Sequence, residues 1–321
     1  MAEKLRFRSD GSFRILMVSD IQEGPEADPR APVCYRKLVE HTKPDFIVWG
    51  GDNIDGRKAK TADELRAHLS VFAAPAEEAG IPWAFVFGNH DYDMDISPAE
   101  QASIYAEYPG CLSRDLPEGI HGTSNFAIPV YGPDGRPAYA IYGFDTAHKH
   151  PEIRPGRSSN ELLLPGLPDY VRKWDTVRFD QLAWYVDMSR RLEREAGAPV
   201  RALAIMHVPP YELQYLKDCP ELCSTKGETA QRIQAGVLNT GIFATMYERG
   251  DVECIAAGHL HESTIEGEYG GIRLCLDGCA GFSPKSLPHC RGGRVFDITL
   301  DGGFSTDFVP YLSIPDNGFA E

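Results

Sequence analysis

The 321-residue sequence contains no apolar run approaching the roughly 20 residues needed to cross a bilayer, so no membrane-spanning helix is expected. Basic residues are in short supply: 32 Lys and Arg face 47 Asp and Glu, a net charge of −15. That balance argues against a nucleic-acid groove and against a general affinity for anionic membranes. The N-terminal sequence reaches its first apolar stretch only at Phe13 and meets Asp20 soon after, unlike a signal peptide. The expectation is a cytoplasmic protein with reduced thiols. The pairs Cys219/Cys223 and Cys275/Cys279 lack the two-residue spacing of a zinc knuckle. Ordinary structural cysteines are therefore expected, ahead of a zinc half-site or a small disulfide. Internal repeats, low-complexity tracts and an evident linker are also missing, and no protein partner is evident. These absences predict one domain over residues 13–312, with an N-terminal extension (1–12) and a C-terminal tail (313–321).

What is present is an alternation of apolar strands and amphipathic helices, the pattern of an α/β domain. Strands are predicted at Arg14–Ser19, Asp45–Trp49, Trp83–Phe87, Asn125–Val130, Ala138–Phe144, Val200–Met206, Val252–Ala257, Ile272–Leu276 and Arg294–Ile298. Helices are predicted at Pro32–His41, Thr61–Glu78, Pro98–Tyr105, Arg178–Glu195 and Glu228–Glu248. In Arg178–Glu195, the residues Phe179, Leu182, Ala183, Val186 and Leu192 recur at helical spacing. Asp91–Gly122 and His148–Asp175 are irregular, and the second is a long excursion of a kind that often carries function.

Five of the apolar runs end in side chains able to bind metal. They lead into Asp20-Ile21-Gln22, Gly50-Gly51-Asp52-Asn53, Gly88-Asn89-His90-Asp91, His207-Val208-Pro209-Pro210 and Gly258-His259-Leu260-His261. In open α/β sheets, ligands collect beyond the carboxyl ends of the strands, so residues far apart in sequence converge there. The donors are oxygen and imidazole without thiolate, which disfavours a structural zinc knot and suits Mn, Fe or Zn in a catalytic role. Alone, an Asp after a strand is usually a turn or helix cap. Gly88-Asn89-His90-Asp91 is stronger, because consecutive polar functional groups directly follow a wholly apolar strand.

In this order the motifs resemble those of the calcineurin-like metallophosphoesterases, whose pattern is D-x-H, G-D, G-N-H-D/E, a strand-end His and G-H-x-H. The likeness runs from Asp20 to His261, and the contexts Gly51-Asp52-Asn53-Ile54, His207-Val208-Pro209-Pro210 and Asn239-Thr240-Gly241 are similar to a branch related to purple acid phosphatases. The resemblance implies a four-layer α/β/β/α sandwich with two packed mixed sheets. It also implies two divalent metal ions. Asp20, Asp52 and His261 would hold one; Asp52, Asn89, His207 and His259 would hold the other, with Asp52 bridging. The implied reaction is hydrolysis of a phosphate ester by a metal-bridging hydroxide. His90 would act as general acid or stabilise charge on the phosphate, and Asp91 would orient its ring.

Two positions depart from the pattern. Gln22 stands where the family has the His of D-x-H, so it would serve as a neutral oxygen donor, act through a water or contact substrate. Asp55 stands where purple acid phosphatases carry a Tyr three residues after the bridging Asp, which predicts a colourless enzyme. The substrate is expected to be a phosphorylated small molecule or other phosphoester, a monoester ahead of a diester. The rival from another class is a non-catalytic scaffold with a weakened first metal site. His121, Asp145, His148 and His150 lie in or beside the irregular stretches, and Lys149, Arg154 and Arg157 are candidates for contacting a substrate's anionic groups, with a solvated loop residue the leading reading for each.

Overall fold

Two mixed sheets face each other in the computed structural model, which describes residues 4–113, 117–148, 174–229, 232–236 and 238–319. In the first sheet β1 (Ser12–Val18), β2 (Phe46–Gly50) and β3 (Trp83–Val86) run parallel. The antiparallel strands β10 (Gly292–Thr299) and β11 (Phe304–Pro310) extend it, giving the order β11-β10-β1-β2-β3. The second sheet contains β4 (Phe126–Tyr131), β5 (Pro137–Phe144), β6 (Arg201–Met206), β7 (Val252–Ala257), β8 (Glu266–Tyr269) and β9 (Ile272–Leu276). Its order is β4-β5-β6-β7-β9-β8, with antiparallel strands only at the two edges.

The period-two alternation of strand side chains divides the core into layers. Ile15 and Met17 of β1, Phe46 and Val48 of β2, Ile141 of β5 and Leu203 and Ile205 of β6 point between the sheets. Their neighbours Leu16, Val18, Ile47 and Trp49 point outward against α1 (Arg30–Thr42), α2 (Ala62–Phe72), α3 (Ala74–Ala79) and α4 (Pro98–Tyr105). On the other side Tyr142, Ala204 and Ile255 pack with α5 (Phe179–Ala196), α6 (Leu213–Asp218) and α7 (Ile242–Arg249). Both faces of the central strands are therefore buried, which explains their near-continuous apolar sequences. Each fully buried aliphatic or aromatic side chain contributes about 1.5–3 kcal/mol relative to exposure. The result is the four-layer α/β/β/α arrangement.

All the expected strands are present, with ends shifted by about two residues or fewer. Three elements were not anticipated: α6 and the edge strands β8 and β11. The helix expected over Thr61–Glu78 is two helices, α2 and α3. It starts as expected at a capping box between Thr61 and Glu64, but Pro75 opens a new helix because its ring cannot continue the preceding one. The helix expected over Glu228–Glu248 exists only as α7. Upstream, Thr229 bridges Ser263, and a Cβ at Gly236 would stand 2.5 Å from Asp175 O, a close approach of backbones that only glycine permits. The described parts of the predicted extension and tail are packed onto the domain: Leu5 is buried between the sheets, and Phe319 packs against Phe282. All eight cysteines are free thiols. Lys149, His150, Arg154 and Arg157 lie outside the described residues.

Candidate metal centre

The carboxyl ends of β1, β2 and β3 meet those of β6 and β7, and the candidate metal ligands converge there. The turns that leave these strands are tight. Asp20 (φ 55°), Gln22 (φ 43°), Asp52 (φ 49°) and His259 (φ 72°) all occupy the left-handed region. Non-glycine residues rarely adopt it, and such backbone strain gathers at functional sites. Gly51 (φ 95°) shows why glycine precedes Asp52: a Cβ there would stand 2.6 Å from His207 Nδ1. Gly88 is equally constrained, because its Cβ would lie 2.7 Å from His207 Cδ2.

Two groups of side chains form, and Asp52 belongs to both. Asp52, His207 and His259 place one ligand atom each within 4.8 Å of one another, as do Asp20, Asp52 and His261. His207 Nε2 is 3.2 Å from Asp52 Oδ2, and His261 Nε2 is 3.0 Å from Asp20 Oδ1. The His207 ring is fixed from behind by a 3.0 Å contact between Nδ1 and the Gly50 carbonyl. Asp20 Oδ2 accepts hydrogen bonds from Ser19 Oγ (2.6 Å) and from the His259 amide (3.0 Å). Fixing the face of a ligand that points away from the cation is how such centres set ligand direction.

The residues fit a pair of cations by what they leave unsatisfied. Gln22 Oε1, Asn89 Oδ1 and His259 Nε2 are buried and make no hydrogen bond to a described residue. Orphaned buried polar atoms are costly and rare in native interiors, and a set of them at one place is accounted for by cations. The carboxylates also give the crevice a negative potential that favours positive charge. Burial lowers His207, but the Asp52 and Asp20 carboxylates outweigh it and raise the ring to about 9. Burial and then the His207 charge depress His259 to about 3, which leaves it a neutral donor. Gln22 sits at 1% exposure with its carbonyl oxygen among the unsatisfied atoms, as a neutral donor requires.

His90 and Asp91 follow β3. The His90 amide donates to Asp52 Oδ1 at 2.6 Å, so the turn that carries His90 also holds the shared carboxylate. Asp91 does not orient the His90 ring, contrary to expectation. Its carboxylate accepts from the amides of Gly88 (2.7 Å), Asn53 (3.1 Å) and Ile54 (3.3 Å), tying the two ligand loops together. Burial and then the Asp52 charge push Asp91 well above the usual carboxylate range, against the pull of those amides. The carboxylate on the ring is Asp93, whose Oδ2 lies 2.8 Å from His90 Nδ1 and whose Oδ1 lies 3.2 Å from His148 Nε2. Asp91→Asn should therefore cost about 1–3 kcal/mol of stability, because an amide NH2 would face a backbone donor. Chemical unfolding checks this; an unchanged midpoint would remove the loop-tying role.

Of the other candidates, Asp145 is a structural cap. Its Oδ2 accepts from the amides of Thr123 and Ser124 and from the Tyr92 hydroxyl. His121 pairs with the buried Asp175 at 3.3 Å. His148 lines a cavity of about 330 Å³ with Tyr92, His121, Thr123 and Asp175. Trp174 sets its edge against His259, with ring centroids 4.8 Å apart. Neither Trp174 nor Asp93 was anticipated from the sequence.

Asp55 is held by Arg57 at 2.7 Å and Lys58 at 3.4 Å, so no phenolate stands at that position. The metal-loaded protein should show no tyrosinate-to-iron absorption, and a strong visible band in the purified holoprotein would contradict this.

Comparison with known proteins agrees with this geometry. The profile of the calcineurin-like phosphoesterases matches residues 13–263. Among relatives, the "Probable inactive purple acid phosphatase 14" of Arabidopsis thaliana is 29% identical over 93% of this chain and 78% of its own. "Phosphatase DCR2" of Saccharomyces cerevisiae is 22% identical over 91% of this chain and 49% of its own. In fold, the chain is similar to a dimetal phosphatase from Danio rerio, with a TM-score of 0.58 and 15% identity over 88% of this chain and 92% of that one. Sequence profile, fold and the paired ligand groups agree, and the chain belongs to the calcineurin-like phosphoesterase family.

Proposed function

We propose that this chain hydrolyses phosphate monoesters at a dinuclear metal centre. The observation that carries the reading is the membership of Asp52 in both ligand groups, with His90 bonded to the same carboxylate through its amide. Asp20, Asp52 and His261, with Gln22 beside them, would hold one divalent cation; Asp52, Asn89, His207 and His259 would hold the other. Two such cations, Mn, Fe or Zn, supply activation of water at neutral pH and neutralisation of phosphoryl charge. The protein's own part is to exclude bulk water from the buried carboxylates and to fix the rings of His207 and His261. His90 would donate a proton to the leaving oxygen, and Asp93, 2.8 Å from its Nδ1, orients the ring for that role. Comparing turnover of mono- and bis-(nitrophenyl) phosphate tests the class. Faster monoester turnover is expected, and a strong diester preference would make the protein a phosphodiesterase with the same centre.

A second reading, a non-catalytic member of the family, is favoured by Gln22 in place of a charged-capable His and by the "inactive" in the names of several relatives. It predicts metal binding at the second group without turnover of either ester.

A further inference from the structure

Away from the strand-end centre, the turn that precedes β10 carries His289 and Cys290 side by side. Glu228, from the segment that bridges to Ser263–Glu266, reaches the same place. One ligand atom each of Glu228, His289 and Cys290 lies within 4.8 Å of the other two. His289 Nε2 contacts Glu228 Oε1 directly, while the Cys290 side chain is buried beneath them. Carboxylate, imidazole and thiol, with an opening to solvent on the exposed Glu228 side, are the donor set of a three-ligand transition-metal site.

We propose that Glu228, His289 and Cys290 form a separate binding site for a single divalent cation of the Zn²⁺ class. The thiolate sets its preference apart from that of the strand-end centre, where every candidate donor is oxygen or nitrogen. On binding, the Cys290 S–H bond breaks, the sulfur forms a bond to the cation and the proton leaves to solvent. Burial, followed by the Glu228 and Glu262 charges, raises the free thiol to about 11. The same two carboxylates attract a cation, and the cation in turn stabilises the thiolate. The site also bears on the segment below His261: Lys285 O is 3.3 Å from His261 Nδ1, and Ser286 Oγ donates to His261 O at 2.6 Å.

Titration of the metal-free full chain with Co²⁺ to excess tests the proposal. The wild type should develop a near-ultraviolet thiolate-to-cobalt absorption, which oxygen and nitrogen donors at the other centre do not produce. Cys290→Ser should lack that band. Glu228 and His289 are exposed, so Glu228→Ala and His289→Ala keep the test open if the Cys290 variant does not fold. Each should require roughly tenfold or more Co²⁺ to reach half of the band. No thiolate band in the wild type, a band that persists in Cys290→Ser, or an unshifted titration in both alanine variants overturns the assignment. Because the readout is absorption by sulfur-bound cobalt, loss of phosphatase turnover does not affect it.

Discussion

Asp52→Asn should leave the chain unable to hold two metals and should lower phosphomonoester turnover by on the order of 10³-fold. Asp52 is the one carboxylate that both ligand groups use. Its two oxygens are also committed differently: Oδ1 accepts the His90 amide at 2.6 Å, and Oδ2 faces His207 Nε2 at 3.2 Å. Asparagine keeps the shape but loses the charge that offsets two cations. Its NH2 must also face either the His90 amide or the metal side, and both placements are unfavourable. Metal content by elemental analysis should fall below two per chain, in step with the rate. A variant with two metals and turnover within about tenfold of wild type would show that Asp52 is not the shared ligand.

His90→Ala has the next largest expected effect, a loss of about 10²–10⁴-fold in turnover with metal content unchanged. Its ring nitrogens are not in either ligand group, and only its backbone touches Asp52. Removing the side chain therefore removes proton donation without removing a ligand. Asp93→Asn should produce a smaller loss, about tenfold, because the ring stays in place and loses only the partner of Nδ1. The effect should fall on kcat more than on KM. If Asp91→Asn instead lowered the rate without lowering stability, the ring would be answering to Asp91 and the roles assigned to these two carboxylates would be reversed.

Much of the centre was legible in the sequence because its ligands follow buried strands directly. Val18, Gly50, Val86, Met206 and Ala257 close the strands, and the candidate ligand that follows within three residues of each has little choice but the strand-end crevice. Side-chain direction within a turn is not legible in that way. Asp91 and Asp93 share one short 3-10 turn, and adjacency to His90 favoured the wrong one. In the folded turn Asp91 points inward to three amides, and Asp93 faces His90 Nδ1. Trp174 escaped notice because it sits at the end of an irregular stretch with no periodic signal. The missed strands β8 and β11 are edges whose exposed residues weaken the apolar pattern, as in the partly exposed Phe304–Pro310. The over-long Glu228–Glu248 helix is cut back because Gly236 lies against the Asp175 backbone and α7 begins only after the left-handed Gly241.

These expectations all follow from ester hydrolysis at a paired metal centre. Its most direct test is metal-free protein reconstituted with Mn²⁺, Fe²⁺ or Zn²⁺, with strand-end occupancy counted in a crystal by anomalous scattering and nitrophenyl phosphate turnover measured on the same preparation. Two metals sharing Asp52 are expected, with turnover that appears only when both are bound. One metal with full turnover, or two metals with none, would contradict it.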